Sequence, residues 1–177
     1  ERCIRLANGT KLYEGDTIGN VNEDAIRRIQ IRETIITHIE RERALFGMGI
    51  KVLSLFFIDK VSNYREYGDN SEITQGKFAK MFEEEYQSIL GNLQTKIGED
   101  DYINYLKQWS AQDVHQGYFS QDKKGIYKDT KESTDKGREE ALRAYDLILK
   151  NKERLLSLAE PVRFIFSHSA LKEGWDN

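Results

Sequence analysis

Cysteine and proline are almost missing from this chain, and each scarcity narrows what it can be. The single cysteine, Cys3, leaves no partner for an internal disulfide, which fits a reducing cytoplasm, and nothing beside it in sequence marks a reactive thiol. No apolar run approaches the roughly 18 residues of a membrane span, and no signal-peptide pattern follows Glu1, so a trimmed, membrane-free piece of a longer protein is expected. A basic excess is lacking too. Lys and Arg number 27 against 30 Asp and Glu, a net charge of -3, which argues against a stand-alone nucleic-acid-binding module while leaving room for a local contact surface. The histidines His38, His115 and His168 have no zinc-ligand spacing with Cys3. No Gly-x-x-x-x-Gly-Lys-Ser/Thr pattern occurs, so the backbone cradle and lysine that hold β- and γ-phosphates are absent from the sequence.

What remains is a chain of 177 residues, enough for about one domain. Charged residues make up 32% and apolar ones 38%, polar for a compact domain, but nine Tyr, eight Phe and two Trp supply core anchors. A folded unit with a long polar insertion is expected. Its organising stretch is the last one, from Pro161 to Asn177. Val162 to Phe166 reads as a buried parallel strand, and the change to Ser167, His168 and Ser169 marks its carboxyl end. Ligands of open α/β sheets gather at that end. Ala170 to Glu173 are helix formers, and Gly174 stops or bends them.

Upstream, Asn8-Gly9 between Ile4-Arg5-Leu6 and Lys11-Leu12-Tyr13 predicts a hairpin. Asn22 suits a helix cap, Glu23 and Asp24 suit the positive end of a helix dipole, and Gly47 and Gly49 end the pattern. A helix from Glu23 to Phe46 is predicted, with Ile26, Ile29, Ile36, Ile39 and Phe46 on its apolar side. Ile50 to Ile58 is apolar on both alternating faces and reads as a central strand, with Asp59 and Lys60 at its carboxyl end. Helix into buried strand, with a second buried strand far downstream, is α/β logic.

The intervening hundred or so residues far exceed an ordinary α/β connection of about 2 to 6 residues, so a structured, mostly helical insertion is expected. Phe78, Met81, Phe82, Ile89 and Leu93 share one helical face, opposed by Lys80, Glu83 and Glu84. Tyr102, Tyr105, Leu106 and Trp109 form a shorter stripe, read as core rather than as a base-stacking platform. A hairpin with a charged tip is predicted around Gln121-Asp122-Lys123-Lys124. Lys123 and Lys124 suit phosphate, but Asp122 and Asp129 offset them, and a solvated loop is the plainer reading. A further helix, capped at Thr134 or Asp135, would carry Leu142, Tyr145, Leu149 and Leu156 before Pro161 limits it. The carboxylates of Glu83 to Glu85, Asp100-Asp101 and Asp122 read as solvated faces, not as a nuclease centre. Ser167 and His168 are not a nucleophile-base pair, because neighbouring strand side chains point to opposite faces.

The string Phe164-Ile165-Phe166-Ser167-His168-Ser169-Ala170-Leu171-Lys172-Glu173-Gly174-Trp175-Asp176-Asn177 resembles motif V of superfamily-two helicases, and most of all the Res subunits of type III restriction-modification enzymes. Gln30-Ile31-Arg32-Glu33-Thr34-Ile35 running into His38, the motif IV strand Lys51 to Asp59, Val114-His115-x-Gly117-Tyr118-Phe119-Ser120 and Glu160-Pro161-Val162-Arg163 agree with it in order. The resemblance implies a second RecA-like domain: an N-terminal hairpin and connection over 1-20, the first helix and motif IV strand over 21-60, a mainly helical insertion over 61-160, and the motif V strand and loop over 161-177. It implies Gly174 and Asp176 near the nucleotide, with Asp176 accepting from a ribose hydroxyl or the attacking water and Gly174 permitting the turn. It likewise implies Ser167, His168, Ser169 and Lys172 on a DNA backbone, which such groups position without reading sequence.

The parent would be an ATP-dependent endonuclease and helicase-type motor using ATP and Mg²⁺. It would act on double-stranded DNA in the cytoplasm, with a methyltransferase (Mod) subunit and a first RecA-like domain in the same chain. Neither the acidic Mg²⁺ motif nor the arginine-bearing motif VI of that family is in the sequence, so no catalytic or metal-binding residue is assigned and this piece alone is expected to be inactive. The competing reading is a non-enzymatic interaction domain built on the helical insertion.

Overall fold

The computed structural model describes residues 3–5, 11–13, 22–68, 72–93, 101–129 and 150–168. It opens on β1 (Cys3–Arg5) and β2 (Lys11–Tyr13), paired antiparallel as the hairpin reading requires, with the Asn8-Gly9 turn outside the described residues. Helix α1 spans Glu23–Phe46, the predicted bounds. Asn22 starts it by accepting from the amides of Asp24 and Ala25 at 3.1 and 3.3 Å. Strand β3 (Ser54–Ile58) follows, then a 3₁₀ turn (Val61–Asn63), the small antiparallel pair β4 (Arg65–Tyr67) and β5 (Ile73–Gln75), and helices α2 (Lys77–Asn92) and α3 (Asp101–Leu106). Strand β6 (His115–Tyr118), the short helix α4 (Lys152–Leu155) and strand β7 (Phe164–His168) complete the described residues. Among the described residues no helix is long and apolar enough to cross a membrane.

Strands β3 and β7 lie side by side and parallel, Ser54 opposite Phe164 and Ile58 opposite His168, although more than a hundred residues separate them. On the other side of β7 runs β6, also parallel, with Tyr118 opposite Ser167. The sheet order is therefore β3-β7-β6, which corrects the reading of Ile50 to Ile58 as a central strand: the strand is Ser54–Ile58, it lies at the edge of the described sheet with Phe57 exposed, and β7 is central. Residues 61–160 thus supply helices α2 and α3 and also a strand of the sheet, so the arm that sequence places in a hairpin belongs partly to the main sheet. Helices α1 and α2 cover one face, where Phe82, Phe164 and Phe166 are essentially inaccessible and their rings meet edge to face at 4.8 and 5.8 Å. Each such ring contributes about 1.5–3 kcal/mol by leaving water. The opposite face carries Ile165, Val162 and Tyr118 beneath Leu155 of α4. Helices on both faces of a parallel sheet make this the α/β, RecA-like arrangement that the resemblance implies.

The buried side of α1 is not the one the spacing of its isoleucines suggests. Ile26 and Ile29 are exposed, whereas Ile31, Ile35, His38, Ile39 and Glu42 face the core. Two polar residues occupy that stripe because they have partners across the chain. The carboxylate of Glu42 accepts from Arg163 Nε at 3.0 Å, from the Tyr102 hydroxyl at 2.9 Å and from the Val52 amide at 3.2 Å. His38 Nδ1 meets Ser54 Oγ at 2.8 Å. Arg163, fully buried just before β7, also donates to the Pro161 carbonyl and lies 4.6 Å over the Tyr105 ring. Burial pushes the Glu42 carboxyl up, but the imidazole of His38, the guanidinium of Arg163 and the Tyr102 hydroxyl outweigh it and hold the group below its ordinary value. Burial keeps His38 below its ordinary value, so the ring is neutral near pH 7.

Two more sequence assignments are corrected in the same way. Glu83, placed with the solvated side of α2, is buried together with Glu85, because Gln75, Gln112 and His115 bond the first and Arg28 and Arg32 of α1 bond the second. On α4 it is Leu155 that is buried, while Leu156 is 43% exposed. Residues 130–149, with the rest of that expected helix, lie outside the described residues. The tyrosine stripe is core, as expected: Tyr102 and Leu106 are buried, and the Tyr105 ring packs tilted against Phe46 at 4.9 Å.

Removing one partner of a buried ion pair strands the other charge, at a cost of about 3–5 kcal/mol, whereas replacing both with apolar groups of similar volume is often neutral. Arg163→Met is therefore expected to lower the urea unfolding free energy by that amount, and adding Glu42→Met to restore most of it; simple additivity of the two losses would refute the coupling. Lys51 gives a pH prediction. Its buried ammonium donates to the Ser157 carbonyl at 3.0 Å and to the Glu160 carbonyl at 2.5 Å, and burial, then Arg163, lowers its pKa to about 8 from an ordinary 10.5. Between those two values the unfolded chain holds a proton that the folded chain has lost, so the stability contribution of this group rises with pH. The unfolding free energy of wild type relative to Lys51→Met should climb across that window, by at most about 1.4 kcal/mol per pH unit. A flat difference would mean that burial costs the ammonium nothing.

Candidate functional site

Because β3, β7 and β6 run parallel and in register, their carboxyl ends reach one edge of the sheet. Beside that edge lies a cleft of about 550 Å³, walled by the first half of α1, the end of β3, the 3₁₀ turn and the start of α2. Its floor is apolar, from Ile31, Phe56, Phe78 and Phe166. Its rim is polar. Thr34 and Gln30 enter from α1, Asp59, Lys60 and Asn63 from the residues after β3, and Lys77 from the first turn of α2.

Local bonds set the rim. The Asn63 amide donates to Asp59 Oδ1 at 2.9 Å, Arg27 donates to Gln30 Oε1 at 3.1 Å, and Lys77 pairs with Asp24 at 2.7 Å, each of these last two side chains about half exposed. Lys60 is exposed. Arg27, Lys60 and Lys77 face Glu23, Asp24 and Asp59 around the cleft, three cations against three acids, so its field is balanced. Amides, a hydroxyl and movable cations over an apolar floor can position a phosphodiester or sugar. Among the described residues no group of three His, Cys, Asp or Glu could hold a metal ion.

A second polar cluster lies against β6. Tyr64, whose phenol burial keeps protonated, bonds His115 Nδ1 at 3.1 Å, and His115 Nε2 bonds Glu83 at 3.1 Å. Burial lowers the pKa of His115 while Glu83 opposes the shift. The consistent proton placement is Tyr64 donating to a neutral imidazole, which donates to the carboxylate. Gln75 and Gln112 also donate to Glu83, so the carboxylate is fully engaged and the cluster clamps β6 to α2. Gly117 is required beside it, since a Cβ there would lie 2.5 Å from Tyr64 Cε1.

Of the residues that sequence assigns to DNA, Ser167 takes a different part. It is buried, at 1% exposure, and its hydroxyl donates to the Tyr118 carbonyl at 2.8 Å, so it fastens β7 to the end of β6 and does not face a groove. His168 is the last residue of β7, opposite Ile58. Ser169, Lys172, Gly174 and Asp176 lie outside the described residues. The structure brings forward residues that sequence reasoning left unassigned: Gln30, Thr34, Lys60, Asn63 and Lys77. One signal pointed to them, the position of Asp59 and Lys60 at the carboxyl end of a buried strand.

No protein-family model matches the chain. Among curated proteins, it is 37% identical over 178 residues to the EcoP15I Res subunit of Escherichia coli, a type III restriction-modification enzyme, in an alignment covering 97% of this chain. It is 36% identical over 183 residues to the EcoPI Res subunit of Escherichia phage P1, covering 100% of the chain, and 32% identical over 198 residues to the StyLTI Res subunit of Salmonella typhimurium, covering 98%. The chain spans 17–18% of the length of these curated relatives.

The cleft depends on a close approach at Gly76, where α2 begins. A Cβ there would lie 2.2 Å from the Ser62 carbonyl oxygen and 2.4 Å from the Asn63 carbonyl carbon, both backbone atoms that cannot swing aside. Gly76→Ala is expected to cost about 1–3 kcal/mol in urea unfolding, the range for overpacking, by pushing the 3₁₀ turn from α2. Unchanged stability would show that the two elements separate freely.

Proposed function

The chain is related over nearly its whole length to Res subunits of type III restriction-modification enzymes, and on that premise we propose that it forms part of the second RecA-like motor domain of such a subunit. In this reading the parent is an endonuclease that couples ATP and Mg²⁺ to movement along double-stranded DNA. A methyltransferase (Mod) subunit supplies site recognition, and a first RecA-like domain in the same parent chain completes the nucleotide cleft. The cytoplasm is the compartment where such an enzyme meets its DNA.

The observation that carries the reading is the parallel pairing of β3 with β7 across the long insertion. It ends β7 at His168, opposite Ile58, so the segment that follows would continue beside Asp59, Lys60 and Asn63, where small polar groups and cations can serve one nucleic-acid strand. His168, Ser169 and Lys172 would meet phosphate oxygens there, helped by Lys60 and by the amides of Gln30 and Asn63. Ser167 holds the strand from which they project. Gly174 would turn the chain so that Asp176 accepts from the ribose or from the water that attacks the γ-phosphate. ATP supplies the free energy of each step, and its phosphates would be held by groups of the parent outside these 177 residues.

Asp176→Ala in the intact parent subunit is the direct test. DNA-stimulated ATP turnover is expected to fall by about tenfold or more, equivalent to about 1.4 kcal/mol of lost transition-state stabilisation, with the unfolding transition unchanged. Wild-type turnover in that variant would remove Asp176 from the nucleotide site.

A further inference from the structure

The segment between Ser120 and Lys128 leaves the carboxyl end of β6 and returns as a tight hairpin. Gln121 and Tyr127 form an antiparallel bridge, the Asp122 amide donates to the Ile126 carbonyl at 2.9 Å, and the Lys128 amide donates to the Ser120 carbonyl at 2.9 Å. Gly125 takes the turn with φ +79°, a left-handed conformation that suits glycine. Three lysines and one aspartate lie in this short run, and Lys123 and Lys124 are exposed at its tip.

The two acids that offset these lysines in sequence are turned onto the backbone. Asp122 Oδ1 accepts from the amides of Lys124 and Ile126 at 2.7 and 2.9 Å, bonds that hold its carboxyl below the ordinary value. Asp129 Oδ1 accepts from the Val61 amide at 2.7 Å, which ties the returning arm to the residue after Lys60 on the cleft edge. The base is anchored further. The Tyr127 hydroxyl donates to the Gly117 carbonyl at 3.0 Å, its amide donates to the Tyr67 hydroxyl at 2.9 Å, and the Arg65 guanidinium lies 4.8 Å over its ring. The hairpin is thus pre-ordered, springs from the edge where motif V begins, and is coupled to β7 through the Ser167–Tyr118 bond.

We propose that the 120–128 hairpin is a second nucleic-acid-contacting arm, in which Lys123 and Lys124 each engage a backbone phosphate of the strand that runs past the β3–β7 edge. This rests on the DNA reading above and adds a surface to it. Lysine suits the part because its ammonium is a point charge on a flexible stem that follows a phosphate without demanding a fixed geometry. An arm with no base-reading groups at its tip would contribute affinity and not sequence preference.

The test uses the intact parent subunit and a fluorescent DNA duplex, titrated over a range of salt concentrations. Each lost phosphate contact lowers the salt dependence of log K by about 0.9, so Lys123→Gln with Lys124→Gln should flatten the slope by about 2. Affinity should fall at low salt, with the gap closing as salt rises, and Lys123→Arg with Lys124→Arg should keep both slope and affinity. A glutamine pair that binds like wild type overturns the arm while leaving the motor reading intact. Weaker binding at an unchanged slope, or an arginine pair that fails to retain the slope, also overturns it, since either would point to a disturbed fold. A wild-type subunit with no salt-dependent DNA binding sinks the DNA reading, and the arm with it.

Discussion

The buried carboxylate of Glu42 is the point at which this fold is joined. It accepts from Arg163, which lies 121 residues further along the chain, and from Tyr102 of α3 and the backbone entering β3. Four segments, two of them 60 and 121 residues from Glu42, therefore share one charge. The interior makes an unpaired charge so costly that Arg163 and Glu42 are each held where the other is. Fixing Arg163 fixes the start of β7, and with it the register against β3 and β6. The aromatic core around Phe82, Phe164 and Phe166 supplies the larger share of burial, but it is non-directional. The polar junction is directional, and its bonds are satisfied in this alignment.

That alignment decides the character of the opposite edge. Parallel strands in register end together, so Lys60 and Asn63 after β3 and the hairpin after β6 leave the sheet at the same edge as the last residue of β7. Two bonds across the edge, Ser167 to Tyr118 and Val61 to Asp129, make it a connected surface. The Tyr64–His115–Glu83 clamp holds β6 to α2 from the other side, and Gly76 lets α2 start hard against the 3₁₀ turn.

Much of this was legible beforehand, and the exceptions share one cause. Helix α1 was bounded by an Asn cap, two acids and a closing glycine, all local signals. Its buried face was not, because His38 and Glu42 look like solvent residues until their partners are known, and Ile26 and Ile29 look like core until nothing covers them. Glu83 and Glu85 misled for the same reason. Ser167 was read as a contact residue from its place at a strand end; the carbonyl that claims its hydroxyl belongs to β6, which sequence had put in a hairpin.

By itself the sequence determined the elements and their class: a long capped helix, two strands apolar on both faces, a structured insertion between them, and a motif order resembling Res subunits. These depend on neighbours within a few turns or residues, where periodicity and capping act. Only the tertiary structure decided that β6 joins the sheet, which polar residues are buried, and that the 120–128 hairpin stands on the same edge as the cleft. Those outcomes depend on pairs such as Glu42 and Arg163 meeting across the whole chain, and no local pattern records who a buried charge will meet.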